Sequence, residues 1–281
     1  MPKSEDKDYE VIRPDGERIA KRLARAGLCS RREAERWIAD GRVSVDGKVL
    51  DTPAVKVTGF SNIKVDGKEL PDAEPAKLWI YHKPRGLVTS HKDELGRETV
   101  FDKLPKSLGR VISIGRLDIN TEGLLLLTND GALARYLELP STGWKRRYRV
   151  RVHGLVSDAA LEKLGKGITV NGIRYGTIEA TLDSHKGTNS WLTMTLHEGK
   201  NREIRNVMEH LNLKVTRLIR TTYGPFQLGD LPRGETKQVL RRVLRDQLGA
   251  KAADFGLAEP AKHAAKKSEK PHARRRRKTS R

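Results

Sequence analysis

The segment GRLDINTEGLLLLTND, residues 115–130, constrains the fold most strongly, because it contains four consecutive leucines. A short apolar run of this kind predicts a buried strand. The polar residues before it place one carboxylate, Asp118, between the cation of Arg116 and this apolar wall. Apolar surroundings disfavour the charged carboxylate while a nearby arginine favours it, so Asp118 can stay ionised yet poorly hydrated. That state suits a nucleophile, although an aspartate that only caps a turn beside a buried strand fits the same pattern.

The charge of the chain points to a polyanionic partner. With 281 residues there is room for about two domains. A formal net charge of +20 attracts nucleic acid first and an anionic membrane surface second. The N-terminus, MPKSEDKDYE, is charged where a signal peptide is apolar, and no apolar run approaches the ~20 residues of a spanning helix. We therefore expect a cytoplasmic protein that does not associate with a membrane. The lone Cys29 is expected to be a small buried hydrophobic residue.

Residues 17–76 predict a small module after a flexible leader over residues 1–16. An amphipathic basic helix starts near Glu17 and ends at Gly27, and its apolar side is formed by Ile19, Leu23, Ala26 and Leu28. Ser30 and Glu33 form a capping-box pattern at the start of a second helix, whose apolar face comprises Ala34, Trp37 and Ile38.

Two hairpins complete this module. Asp46-Gly47 lies between alternating apolar and polar residues, and the segment IKVDGKEL at 63–70 repeats the pattern. An Asp-Gly pair in this context is a strong hairpin signal. The Pro-rich segment PDAEPAK at 71–77 then predicts a linker.

Residues 77–248 predict a second, α+β domain. Strand-like stretches alternate irregularly with helical ones such as NREIRNVMEHL, which has apolar residues at helical spacing. Their order does not repeat as βαβ, so we expect a mixed, largely antiparallel sheet. The chain has no Gly-rich phosphate loop of either standard spacing.

The chain from residue 249 to residue 281 predicts a disordered basic tail. It has few large apolar residues, so it buries too little surface to offset the entropy of ordering. From Pro260 onward it carries ten Lys and Arg against one Glu. Such a tail either binds RNA non-specifically, in a salt-dependent way, or serves as a solvated solubility segment.

The segment at residues 18–50 resembles the S4 RNA-binding domain through RIAKRLARAGLCSRREAERWIADGRVSVDGKVL. Basic residues on the solvent side of two helices can follow phosphates without reading base edges. The resemblance implies RNA contacts from Arg18, Lys21, Arg22, Arg25, Arg31, Arg32 and Arg36.

Residues 77–235 resemble the pseudouridine synthases of the RsuA/RluB type. The likeness rests on GRLDINTEGLLLLTNDG together with YHKPRGLVTS at 81–90, RRYRV at 146–150, HEGKNREIRNVME at 197–209 and KVTRLIRTTYGPFQLGDLPRG at 214–234. With the S4-like module in front, the chain is most similar to the branch that modifies large-subunit ribosomal RNA. The partner implied is ribosomal RNA, of the 23S type, or an assembling large subunit, and we expect a monomer.

The resemblance also implies a reaction and its residues. Uracil is detached from ribose, rotated and rejoined through carbon 5, with no cofactor, metal or redox change. Asp118 is implied as the nucleophile, attacking either the sugar or the base, on a nucleotide flipped out of its stack. Arg116 is implied to help open the helix, and Tyr148 to stack on uracil and transfer a proton at carbon 5. A strand aromatic that faces the core is the other interpretation of Tyr148.

Further roles come from the helix motif. Arg205 is implied to pair with the aspartate, from a helix that Asn201 can cap. Leu218 is implied to pack against the base, although Leu231 or Ile219 could serve. Lys200 and Arg202, at the helix entrance, are expected to grip the RNA backbone.

Two other functions stay open at this point. The first is a non-catalytic RNA-binding or ribosome-assembly factor that uses the S4-like module and the tail. Motif agreement favours the enzyme, because a scaffold has no need for an aspartate with a matching tyrosine and arginine. The second, a glycosidase, fits poorly because such enzymes use paired carboxylates and only Glu122 lies near Asp118 in the sequence.

Overall fold

A computed structural model of the chain describes residues 16–258, and the predicted leader before it and residues 259–281 of the predicted tail lie outside that range. The first module contains two helices and short strands. Its elements are β1 Glu17–Arg18, α1 Ile19–Arg25, α2 Arg31–Ala39, β2 Val43–Val45, β3 Lys48–Val49, β4 Lys56–Val57, β5 Ile63–Val65 and β6 Lys68–Glu69.

Local signals predicted this module well. The Ser30 side chain accepts from the backbone N–H of Glu33, and the Glu33 side chain accepts from that of Ser30, so the capping box is confirmed. Both hairpins are confirmed, since β2 pairs with β3 and β5 with β6 around Asp-Gly turns. One apolar position was wrong: Leu28 is exposed, and the neighbouring Cys29 is buried in its place because the chain turns at Gly27.

The second domain is built on one large sheet. Its elements are β7 Leu78–Lys83, β8 Ile112–Ile114, β9 Glu122–Thr128, α3 Gly131–Glu138, β10 Arg146–His153, α4 Asp158–Leu164, β11 Ile168–Val170, β12 Ile173–Tyr175, β13 Ile178–Lys186, β14 Asn189–Leu196, α5 Glu203–His210, β15 Lys214–Tyr223, β16 Phe226–Gln227, β17 Thr236–Gln238 and α6 Arg241–Leu248. Short 3₁₀ turns occupy Phe101–Lys103, Lys106–Leu108 and Pro140–Thr142.

The predicted mixed, largely antiparallel sheet is confirmed. Its strand order is β13-β14-β10-β15-β9-β7-β17, with β16 beside β15 and β8 beside β9. Strands β9 and β15 pair in parallel through Glu122 and Gly123, whereas the other neighbours in this sheet run antiparallel. The four leucines of β9 are fully buried because the core covers both faces of this strand.

The tail begins later than expected. Residues Gly249–Phe255 form a 3₁₀ helix, and Ala252, Phe255 and Leu257 are buried in the core beside β7. The backbone N–H of Ala76 donates to the carbonyl of Phe255, which ties this segment to the end of the linker. The prediction of disorder from residue 249 was wrong up to residue 257. It was based on the average composition of the tail, whereas the three apolar residues near its start pack into the core. The second domain therefore extends beyond its predicted end at residue 248.

The helices within residues 16–258 include none that is both long and apolar enough to cross a lipid bilayer.

We expect Gly123→Ala to lower the free energy of unfolding by about 3 kcal/mol, because two costs add there. Gly123 has φ +104°, and a Cβ atom would overlap the backbone carbonyl oxygen of Arg220 on β15. The control is Gly47→Ala, at φ +84° with no atom within 4 Å of the added carbon, for which we expect about 1 kcal/mol. Urea unfolding measures both, and equal losses would contradict a packing constraint at this position.

Candidate active site

The loop that carries Asp118 lies between β8 and β9, and the side chain of Lys83 binds its backbone. The Lys83 ammonium is fully buried and donates to the backbone carbonyls of Pro84 (3.0 Å), Asp118 (3.2 Å) and Thr121 (3.0 Å). Thr89 fixes the same loop by donating its hydroxyl to the carbonyl of Leu117 at 2.8 Å. The backbone around Asp118 is thus positioned by buried side chains.

Two guanidinium groups flank the Asp118 carboxylate. Arg202 Nη1 lies 3.4 Å from Oδ2 and Arg205 Nε lies 3.8 Å from the same oxygen. Arg205 also donates from Nη2 to the carbonyl of Asn120 at 3.1 Å, and burial lowers the pKa of its guanidinium, as does the neighbouring Arg202. The Asp118 side chain is 32% exposed, so it is less dry than expected.

Arg116 differs from its expected place. It is exposed on the rim of the cavity and forms no ion pair with Asp118; within residues 16–258 the cations that contact this carboxylate come from α5 and the residue before it. The loop turns Arg116 outward, since Leu117 occupies the buried position between them.

Helix α5 begins differently from the prediction. Asn201 does not cap it; Arg202 is the residue that precedes the helix, in a left-handed conformation with φ +49°. The Glu203 side chain instead accepts from the backbone N–H of Lys200 at 2.9 Å. This conformation turns Arg202 towards Asp118, so Arg202 contacts the carboxylate although it was expected to grip the RNA backbone.

A cavity of about 280 Å³ opens beside Asp118, near the lower end of the range for ligand pockets. The predicted site residues share this cavity, although they come from four separate parts of the chain. Its lining includes Arg116, Asp118, Tyr148, Lys200, Arg202, Arg205 and Leu218. Leu218 is buried in the cavity wall, and the alternatives Ile219 and Leu231 are not part of the lining.

Sequence reasoning missed several charged residues of the cavity. Arg220 is 3% exposed and donates from Nε to the carbonyl of Leu124 at 2.7 Å, while its buried Nη2 finds no partner among the described residues. Arg146 is also buried and donates from Nη2 to the Tyr223 hydroxyl at 3.1 Å. Both arginines lie on the same side of their strand as buried apolar residues. This alternation in the sequence could have predicted that they are buried.

Glu203 is a further missed residue in the cavity lining. Its side chain is buried, and burial, assisted by the neighbouring Glu198, raises its pKa to about 7. The signal was its position next to Ile204 on the apolar side of α5, where a carboxylate is unusual.

Glu122 does not form a carboxylate pair with Asp118. It is buried and receives both Nε and Nη2 of Arg217, at 2.9 and 3.1 Å, as well as Nη2 of Arg233 at 3.2 Å. A carboxylate so fully paired is unsuited to acid or base work, which argues against the glycosidase hypothesis.

Of the seven basic residues expected to contact RNA from the first module, four are exposed and three are partly buried. Arg18, Arg31, Arg32 and Arg36 are exposed, as expected for RNA contacts. Arg25 is only 11% exposed and lies between Glu17 (3.3 Å) and Asp130 of the second domain (4.0 Å), so it joins the two modules and does not face solvent. Lys21 pairs with Glu17 at 3.5 Å. Arg22 is half-buried on the same helix.

A basic module and, in the second domain, a concave pocket with one carboxylate between cations fit an enzyme that acts on a nucleoside within RNA. Comparison with known proteins agrees with this class. Residues 77–210 match the RNA pseudouridylate synthase family, and residues 17–63 match the S4 domain.

Similar proteins give the same result. An RNA pseudouridine synthase of Rickettsia bellii is 48% identical over 82% of this chain and 99% of its own length. The ribosomal large subunit pseudouridine synthase B of Pasteurella multocida is 42% identical over 83% of this chain and 72% of its own. A crystal structure of a pseudouridylate synthase shares the fold, with a TM-score of 0.58 at 24% identity over 82% of this chain and 99% of that one.

The chain belongs to the RNA pseudouridine synthase family. It is an enzyme that isomerises uridine in RNA, and the hypothesis of a non-catalytic scaffold is set aside.

We expect the stability of the wild type relative to Lys83→Met to depend on pH. Burial lowers the Lys83 pKa from 10.5 to about 8, against the opposing effect of Asp118 and Glu122. Between pH 8 and pH 10.5 the unfolded chain still binds this proton while the folded chain has released it, so the free energy of unfolding rises with pH. The variant lacks this contribution. Urea unfolding at pH 7.5, 9 and 10.5 measures the difference, and a constant difference would mean that the carbonyl contacts keep Lys83 protonated.

Proposed function

We propose that this enzyme converts a uridine of large-subunit ribosomal RNA, of the 23S type, to pseudouridine, with Asp118 as the nucleophile. The observation that carries the proposal is the Asp118 carboxylate, within 4 Å of two guanidinium groups, on a cavity that also contains Tyr148 and Leu218. A carboxylate can act as a nucleophile towards an electrophilic carbon.

The reaction is an isomerisation, so its atoms balance without a second substrate. The bond between ribose carbon 1′ and uracil N1 breaks, a bond from carbon 1′ to uracil carbon 5 forms, and the proton lost from carbon 5 is replaced by one gained at N1. Asp118 attacks either the sugar or the base to start this exchange. The hydroxyl of Tyr148 is suited to move the carbon 5 proton, because Tyr148 lines the same cavity.

The other residues of the cavity lining are suited to bind the target nucleotide. A target nucleotide must leave its stack to reach Asp118, and it would cover the partly exposed carboxylate, which strengthens the interactions made there. Leu218 offers an apolar surface to the base. Exposed cations at the rim, Arg116 and Lys200, suit the flanking phosphates.

We expect Asp118→Asn to reduce tritium release from 5-labelled uridine in ribosomal RNA by at least about 10³-fold, as for loss of a nucleophile. RNA affinity should stay within about threefold, because the amide keeps the shape of the side chain and RNA contacts lie mainly elsewhere. The control is Asp230→Asn, at an exposed carboxylate outside the cavity, for which release stays normal. Unchanged release by the Asp118 variant would remove this residue from the mechanism.

The large-subunit target rests on the similarity to the Pasteurella protein. In a strain that lacks this protein, pseudouridine mapping should find one modified position lost from 23S ribosomal RNA and none from the small-subunit RNA. Re-expression of the wild type, but not of the Asp118→Asn variant, should restore it. Loss confined to small-subunit RNA would overturn the target while leaving the reaction intact. Since ribosomes assemble in the cytoplasm, the proposal places the protein there, and the monomeric state stays a prediction.

A further inference from the structure

One half of the large sheet leaves a strongly basic face open to solvent. Strand β10 is central there, between β14 and β15, and its alternate residues Arg147, Arg149 and Arg151 are exposed. The residues in between point to the other side, where Tyr148 lines the cavity and Val150 and Val152 are buried in the core. Side chains alternate across a strand, so the three arginines form a row on the face opposite to the Asp118 cavity.

The row is regular and unneutralised. Residues two apart on a strand are separated by about 6.6 Å, so the Cα atoms of the three arginines span about 13 Å along β10. Within residues 16–258 none of these three side chains forms an ion pair or a side-chain hydrogen bond. Three adjacent like charges repel one another unless an anion lies beside them.

Aromatic and acidic neighbours hold this face in place. The guanidinium carbon of Arg149 lies 4.7 Å from the ring centre of Trp191 on β14, and that of Arg217 on β15 lies 6.0 Å from the same ring. Arg217 is fixed in turn by its two hydrogen bonds to the buried Glu122. Arg149 is therefore oriented before any partner arrives, which reduces the entropy lost on binding.

The nearby acids form their side-chain contacts with residues other than these three arginines. Asp183 accepts from the Thr193 hydroxyl at 2.9 Å, and Glu179 at the margin pairs with Lys145 at 2.9 Å. Residues 260–281 of the chain carry ten Lys and Arg against one Glu, so this segment cannot neutralise the row. Long arginine side chains can cover an open sheet with their methylene groups, but that role does not require three charges in register.

We propose that Arg147, Arg149 and Arg151 form a second RNA surface, the reverse-face row, which binds backbone phosphates of the substrate RNA away from the target nucleotide. The proposal rests on the proposed function in one respect, because it takes a large folded RNA as the substrate. A regular line of phosphates complements a regular line of cations, and guanidinium groups bind phosphate bidentately. The reverse-face row then selects long RNA that wraps around the domain, whereas the cavity selects the uridine.

The test compares a long and a short RNA. The variant is the triple substitution Arg147→Gln, Arg149→Gln and Arg151→Gln, and the probes are a transcript of a complete large-subunit RNA domain and a short hairpin that contains only the mapped target. We expect affinity for the transcript to fall at least tenfold in low salt, and the slope of log affinity against log salt to decrease by about 2. Hairpin affinity and the single-turnover rate on the hairpin should stay within twofold.

Two control variants distinguish the loss of charge on this face from a general loss of charge or of folded structure. Lys106→Gln, Lys163→Gln and Lys166→Gln together remove the same charge from exposed positions elsewhere, and this variant should keep the transcript affinity. The triple Arg→Lys variant keeps the charge and should retain most of the salt slope.

Several outcomes would overturn the reverse-face row. Unchanged transcript affinity and slope would do so, as would equal losses for transcript and hairpin, or binding of an acidic protein with no change towards RNA. Failure of the proposed function looks different, because it is an absence of tritium release by the wild type on either RNA.

Discussion

The parallel pairing of β9 with β15 is the constraint on which the rest of the catalytic domain depends. It involves two residue pairs, Glu122 with Ile219 and Gly123 with Arg220, and it joins two otherwise antiparallel halves of the sheet. A junction this short tolerates no side chain at Gly123, where the backbone of Arg220 occupies the space of a Cβ atom. Because the Asp118 loop leads directly into β9, the same junction brings the carboxylate next to the strand that carries Leu218 and Arg220.

Arginine and lysine side chains outnumber carboxylates in the cavity lining, and two of the arginines flank Asp118. A buried cation is costly unless hydrogen bonds satisfy it, and here main-chain carbonyls satisfy Lys83 and Arg220 in part. Within residues 16–258, Asp118 therefore forms ion pairs only with Arg202 and Arg205. Positive charge exceeds negative charge around the nucleotide position, which suits a substrate whose backbone is anionic.

Local structure could be predicted where residues close together in the sequence determine it. Ser30 with Glu33 and the two Asp-Gly pairs act through neighbours within a few residues, so their outcomes did not depend on the rest of the chain. Predictions failed where distant contacts decided. The segment that contains Phe255 is ordered because it packs beside β7. The start of α5 differed for a local reason, because Glu203 binds the backbone of Lys200 and Asn201 does not cap the helix.

The sequence by itself determined the two modules, the class of the sheet and the residues grouped around Asp118, since motifs and periodicity are properties of contiguous segments. Tertiary structure alone decided which arginines approach that carboxylate, how far solvent reaches it, and which cations are buried. It also decided that Arg25 joins the modules and that three arginines of β10 share an open face. The contacts of Asp118 and Arg25 join segments far apart in the chain, so they form only when α1, α5 and the strands of the large sheet pack together.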